Sequence, residues 1–214
     1  QVFVFNKPAG LAVQGGSGVT RHVDGMLPSL AKRNGNQPRL VHRLDRDTSG
    51  VLVVARTRTA AAALARSFRG RDAHKVYWAL VKGVPREREG RISTWLAKVQ
   101  GPQGDRMKVA RHGDESADHA LTHYRVVDQA GQRLAWLAME PVTGRTHQLR
   151  AHAAHIGHPI VGDPKYFDVE NWELPGGIQN RLHLHARRIV LPHPAGGLLD
   201  VTAPLPPHMR QSWY

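Results

Sequence analysis

Residues 75–83 read KVYWALVKG, and their alternation places Tyr77, Ala79 and Val81 on one face of an extended strand and Val76, Trp78 and Leu80 on the other. Both faces are apolar enough to be at least half-buried. Downstream, residues 91–99, 119–128 and 133–142 read as further strands, the last two joined across Ala130-Gly131 as a hairpin. Upstream, VFVF at 2–5 reads as a strand that stops at Lys7-Pro8-Ala9-Gly10, GGSG at 15–18 as a loop, and 51–55 as a buried strand behind the turn Asp47-Thr48-Ser49-Gly50. Residues 182–191 read as a return strand, and the polar DVENWELPGGIQN at 168–180 as an inserted loop. Helices are fewer. One is expected over 22–33, limited by Pro28; an Ala-rich one is capped by Thr59, runs to about Phe68 and stops at Gly70; a third, over 146–156, sets Leu149, Ala153 and Ile156 at helical spacing and ends at Gly157. Runs of strands with scattered helices define an α+β protein with a mixed, mostly antiparallel sheet. A doubly wound sheet is disfavoured, and neither GxGxxG nor GxxxxGK[ST] stands at a strand-to-helix junction.

At 214 residues the chain can bury a core without staples. Its longest apolar runs, such as VLVVA at 51–55, are too short to span a bilayer, and no membrane association is expected. The absence of cysteine removes disulfides, thiolate metal sites and a cysteine nucleophile from consideration. The chain opens on an apolar strand at Gln1 rather than on a methionine, so a further N-terminal piece is expected before it.

The net charge of +13 is unevenly placed: residues 1–110 hold 20 Lys and Arg against 7 Asp and Glu, whereas residues 111–214 hold 10 of each. Arg56, Arg58, Arg66, Arg69, Arg71 and Lys75 form the densest stretch, with Asp72 the single acid among them. Such a field attracts a polyanion, and a nucleic-acid backbone is the expected one.

Three stretches concentrate reactive side chains. In VHRLDRDTSG at 41–50, Asp47 is explained as the first residue of a β-turn ending at Gly50. Asp45 has no such explanation, and arginines at 43 and 46 favour its ionised form, the state a nucleophile or general base needs. In GRTHQLRAHAAHIGHP at 144–159, four histidines invite a metal reading, but no HExxH accompanies them. Arg150 sits beside Leu149 and can face a cleft or simply pack. In KVYWA, Tyr77 can stack on a base, move a proton, or only fill the core.

Taken together, NKPAGLAV at 6–13, HRLDRDTSG at 42–50, KVYWALVKG at 75–83 and PVTGRTHQLRAHAAHIGHPIVGDPKYF at 141–167 resemble, in order across nearly the whole chain, the RluA-type pseudouridine synthases. HRLD-x-x-TSG and GRTHQLR-x-H are specific motifs, and the form of the first suggests the branch that modifies large-subunit ribosomal RNA. The resemblance implies a single catalytic domain over 1–214, a long mixed sheet with flanking helices and a catalytic cleft across it, and isomerisation of uridine within RNA without cofactor or metal. It makes Asp45 the catalytic residue, Arg150 its salt-bridge partner, Tyr77 the base-stacking active-site tyrosine, Leu149 an apolar wall and Arg43 the residue that enters the RNA stack; His42, Arg145 and His147 of the same motifs become further substrate contacts. Large-subunit ribosomal RNA is the expected partner, with transfer RNA the alternative, and a cytoplasmic monomer is expected. Two rival readings remain: a non-catalytic RNA-binding module, and a metal-dependent hydrolase built on His152, His183, His185 and Asp163.

Overall fold

The computed structural model describes residues 1–102, 104–167 and 172–214. They divide into two compact units, one of Gln1–Lys75 and His185–Pro206, the other of Val76–Leu184 and Pro207–Tyr214.

In the first unit the central strand is β3 (Ser49–Ala55), preceded by β1 (Val2–Lys7) and β2 (Arg39–Leu40). Every residue of β3 is buried, which is why its sequence is a continuous apolar run rather than an alternation. β1 and β2 pair with it antiparallel. Its beginning pairs in parallel with β9 (Leu184–Pro192), Ser49 beside His185 and Gly50 beside Ala186, and β10 (Leu198–Thr202) pairs antiparallel with β9. Gly50 is obligatory at this junction: its φ is +116°, and a Cβ there would lie 2.2 Å from the Ala186 carbonyl oxygen.

Val51, Val53 and Ala55 pack with Ile189, Leu191 and Ala203 against Ala60 and Leu64 of α2 (Arg58–Arg69). That helix is stopped at Gly70 as expected, but its cap is Thr57 rather than Thr59. Thr57 has an extended backbone, and its hydroxyl accepts the Ala60 N–H at 3.1 Å, whereas Thr59 already lies inside the first turn. The helix expected over 22–33 shrinks to one α-turn, α1 (Val23–Met26), followed by a 3₁₀ turn over Leu27–Leu30. Pro28 sits at the start of that tighter turn, and the apolar residues around it are too few to bury a longer helix.

The second unit carries β4 (His74–Lys82, from Val76 on), β5 (Glu89–Gly101), β6 (Gly104–Ala110), β7 (Asp118–Ala130) and β8 (Leu134–Pro141), paired antiparallel in the order β4-β8-β7-β5-β6. The fold is therefore α+β with mixed, mostly antiparallel strands. Ala79 and Val81 of β4, with Tyr77 packed beside them, meet Leu149 and Ala153 of α3 (Gln148–His155). On the other face Trp78 stacks on Trp213 of α4 (Pro207–Trp213) at 5.5 Å, and Trp136 approaches the same ring at 5.2 Å. The sequence reading lacked β2, β6, β10 and α4: β2 is two residues long, β6 and β10 are strands with little burial, and α4 is a short helix anchored by that tryptophan contact. The expected loop over 168–180 lies partly outside the described residues; its described part, 172–180, carries neither helix nor strand.

Candidate active site

In the first unit the VHRLDRD segment is held from behind by a buried cation. Lys7, 2% exposed at the end of β1, donates from Nζ to the carbonyls of Pro8 (2.8 Å), Leu11 (2.7 Å) and Arg46 (2.8 Å). Those bonds use all the hydrogens an ammonium has. The Arg46 carbonyl also accepts the Gly10 N–H at 2.9 Å, so the Pro8–Leu11 loop and the segment around Arg46 are fastened to one another. Burial lowers the Lys7 pKa to about 8, opposed by the charges of Asp47 and, next, Asp45. A lysine at a strand end reads as a solvent-facing terminus in sequence; the signal that it is not is the Pro-Ala-Gly loop that follows and folds its carbonyls back.

The turn that presents Asp45 runs from Asp45 to Thr48, closed by the Thr48 N–H on the Asp45 carbonyl at 3.1 Å. It lies two residues before the turn read from sequence, because Ser49 and Gly50 are already committed to β3. Asp45, not Asp47, therefore occupies the first turn position, and a local structural reason for an aspartate exists at 45 after all. Asp47 instead accepts Nε and Nη2 of Arg46 at 3.2 and 3.3 Å. That pair is largely exposed and worth at most about 1 kcal/mol. Asp45 is half-buried between the buried Leu44 and the exposed Arg46, and Arg43 is exposed. The Thr48 hydroxyl is buried with no hydrogen-bond partner among the described residues.

His42 is committed to structure. Its Nε2 accepts the Val53 N–H at 2.8 Å, its ring stacks on Phe68 at 4.4 Å, and burial, aided by Lys75, lowers its pKa to about 3. Behind Ser49, His185 donates Nε2–H to the Ala203 carbonyl, so its Nδ1 accepts the Ser49 hydroxyl at 2.8 Å.

In the second unit the GRTHQLR segment is clamped onto β7 by Gln148. Its Oε1 accepts the Thr143 hydroxyl (2.6 Å) and the Arg145 N–H (3.1 Å), and its Nε2 donates to the Leu121 carbonyl (2.9 Å) and the Thr122 hydroxyl (3.0 Å). Arg145 donates Nε–H to the His119 carbonyl at 2.8 Å. His147 caps α3 in the left-handed conformation, φ 51° and ψ 24°, with no side-chain cap bond. Its Nδ1 is instead 2.9 Å from the hydroxyl of Tyr166, which accepts the Met107 N–H at 2.7 Å.

Arg150 proves to be no surface arginine. It is 6% exposed, and its Nε and Nη2 donate to Oδ2 and Oδ1 of Asp163 at 2.9 and 2.8 Å. Asp163 also accepts the Lys165 and Tyr166 N–H groups, and the Tyr166 ring lies 5.3 Å from the guanidinium carbon. The guanidinium is thereby fixed both in its plane and over an aromatic face. Among the three residues named from the resemblance in this unit's core, Arg150 and Leu149 are buried on α3, while Tyr77 is half-buried on β4 opposite Met139. Gln148 and Tyr166 were missed in sequence; each is marked only by standing inside or just after the GRTHQLR stretch.

The histidines of the metal reading are occupied elsewhere. His152 sits between the Thr94 and Thr122 hydroxyls at 2.8 and 2.7 Å, with its pKa lowered by burial to about 4. His183 meets the Arg181 carbonyl and the Ser212 hydroxyl, and burial lowers its pKa to about 4 as well. Both ring nitrogens of His152, His183 and His185 are bonded and Asp163 is held by Arg150, so each of the four residues of that reading has its own set of partners. Among the described residues, no grouping of three or more His, Asp or Glu suited to a metal occurs.

The first unit thus presents a turn-borne aspartate whose turn is pinned by a buried lysine, and the second an arginine fixed on a helix by Asp163. Residues 1–155 match the family model described as RNA pseudouridylate synthase. The chain is 39% identical to RNA pseudouridine synthase 4, mitochondrial, of Arabidopsis thaliana over 99% of itself and 57% of that protein. It is 39% identical to the dual-specificity RNA pseudouridine synthase RluA of Salmonella typhi over 92% of itself and 85% of that protein. The solved structure of human RNA pseudouridylate synthase domain containing 4 superposes with a TM-score of 0.82 at 30% identity, over 99% of this chain and 88% of that one. The chain belongs to the RNA pseudouridylate synthase family. It spans less than two thirds of some relatives' length, 57% of the Arabidopsis protein and 65% of a Synechocystis one.

Proposed function

We propose that this chain isomerises uridines within RNA to pseudouridine, with Asp45 as the catalytic residue. The observation that carries the reading is the placement of Asp45 at the head of a turn whose backbone is fastened by Lys7 and Gly10, inside the stretch that matches the family model. A reacting carboxylate must keep its position while the base turns beneath it, and such a mount supplies that.

In the reaction the N1–C1′ bond breaks, uracil turns, C5 bonds to C1′, the C5 proton departs, and N1 takes up a proton from water. Asp45 either attacks C1′ as uracil leaves and is displaced when C5 bonds there, or removes the C2′ proton to give a glycal and returns it as C5 bonds to C1′; Tyr77 is the proposed stacking partner of the base and the candidate acceptor of the C5 proton. Arg150, held in the second unit by Asp163, is a fixed cation proposed to serve the site. Arg43, exposed beside Asp45, is suited to occupy the stack the uridine leaves, offsetting an unstacking cost of about a few kcal/mol. The basic first half of the chain suits a nucleic-acid backbone, and large-subunit ribosomal RNA is the proposed substrate, with transfer RNA the alternative.

RNA labelled with tritium at uridine C5 tests this, because C5–C1′ bond formation releases the label to water. Wild-type protein without added metal is expected to release tritium from ribosomal transcripts, and Asp45→Asn, which keeps shape and removes charge, to release none. Near-normal release by Asp45→Asn would refute the assignment; release from transfer RNA alone would overturn the substrate but not the chemistry.

A further inference from the structure

The outward face of α2 has no part in the chemistry above; it is basic, and while Arg66 and Arg69 suit the last turn of the helix, Arg58 does not suit the first. At 100° per residue, Arg58, Ala62, Ala65, Arg66 and Arg69 fall on one side, opposite the buried Ala60, Leu64 and Ser67. Arg58, Arg66 and Arg69 are exposed, and among the described residues no carboxylate pairs with any of them. Arg58 opens the helix, where the positive end of the macrodipole disfavours a cation, and the first turn holds no acid. A face shaped only for stability or solubility would intersperse acids at i, i+4 spacing. Between the arginines stand alanines, whose short side chains let a backbone approach.

The helix is mechanically joined to the proposed catalytic turn within the same unit. The ring of His42, three residues before Asp45, stacks on Phe68 of α2. The exposed Arg39, Arg43 and Arg46 therefore belong to a segment docked on this helix.

We infer that the Arg58–Arg66–Arg69 face binds the phosphate backbone of RNA flanking the target uridine, holding the substrate outside the catalytic turn. From Arg58 to Arg69 the helix rises about 16 Å, enough for contacts to successive phosphates along one strand. The inference rests on RNA being the substrate.

The test compares wild type, the triple variant Arg58→Gln/Arg66→Gln/Arg69→Gln, and a charge-matched control, Arg86→Gln/Arg91→Gln/Arg125→Gln, which removes exposed arginines from the second unit. Tritium release is followed on a long ribosomal transcript at several salt concentrations. Wild-type release must be seen first; its absence would count against the proposed activity and leave this face to be judged by filter binding of the same transcript. The α2 variant is expected to keep kcat and raise KM. Removing three phosphate contacts lowers the log–log salt slope by about 2 to 2.7, so its KM ratio to wild type should shrink roughly 20- to 40-fold between 50 and 200 mM salt. The control should move KM and slope little. An α2 variant with unchanged KM and slope, or a control that loses as much, would overturn the inference, the latter because diffuse charge would then suffice.

Discussion

Replacing Lys7 by methionine tests whether the buried ammonium holds the catalytic turn. The substitution keeps length and apolar stem but removes a donor from the carbonyls of Pro8, Leu11 and Arg46; only the last retains a second donor, the Gly10 N–H. Hydrogen bonds from a charged group are worth about 1.5–3 kcal/mol each. Against them stands the penalty of keeping Lys7 charged while buried, about 3 kcal/mol for a pKa brought from 10.5 to about 8. The net expected loss is about 1.5–6 kcal/mol, or roughly 3–24 °C in Tm for a chain of this size. The pH dependence has a definite sign. Between pH 8 and 10.5 the unfolded state binds more protons at Lys7 than the folded state, so wild-type stability gains from this group as pH rises through that window, and Lys7→Met lacks the gain. The Tm gap between the two proteins should therefore widen from pH 7.5 to pH 10, read by circular dichroism melts, while tritium release by Lys7→Met at 25 °C drops because the Asp45 turn loses its anchor. A Tm within 2 °C of wild type at pH 7.5, or a gap that narrows as pH rises, would refute the reasoning.

Asp163→Asn removes one partner of a buried bidentate pair and leaves the Arg150 charge without it, so a loss of about 3–5 kcal/mol is expected in chemical denaturation. Thr57→Ala should cost about 1 kcal/mol through the lost cap while Thr59→Ala stays within about 0.5 kcal/mol, and equal effects in urea melts would contradict the assigned cap. Gly50→Ala places a Cβ against the Ala186 carbonyl at a left-handed φ and should yield protein that fails to fold or melts far below wild type in a thermal-shift assay. His42, His152 and His183, with pKa values of about 3, 4 and 4, are neutral when folded; below about pH 6.5 the unfolded state takes up protons they refuse. Stability should fall as pH drops from 6.5 to 4, as a titration of the urea midpoint would show.

Sequence made legible what is governed by period and by burial. The alternation of β4, the apolar run of β3, the β7–β8 hairpin and the stop of α2 at Gly70 all follow from one local rule each. The elements it did not reveal are those whose stability comes from elsewhere. β6 is mostly exposed and exists as the partner of β5, and α4, seven residues long, exists because Trp213 finds Trp78 and Trp136. The misplaced cap and the misplaced turn share a cause: Thr57 against Thr59, and Asp45 against Asp47, are pairs of equally suitable residues two apart, and the choice between them is made by where the neighbouring strand begins and ends.

That last point bears on the candidate site itself. The sequence singles out Asp45 on the ground that a turn explains Asp47, and the turn belongs to Asp45 instead. What distinguishes the two carboxylates is their company. Asp47 is engaged by the exposed Arg46 in a pair that water can replace, whereas Asp45 heads a backbone turn fixed from inside by Lys7. Lys7 is also the residue whose pKa most directly registers both carboxylates, since each raises it against the pull of burial. Its ammonium hydrogens are all given to main-chain carbonyls, so the buried charge holds the backbone of the turn rather than a side chain in front of it. The same residue thus fixes the backbone that presents Asp45, which is why one substitution at Lys7 should move both stability and turnover.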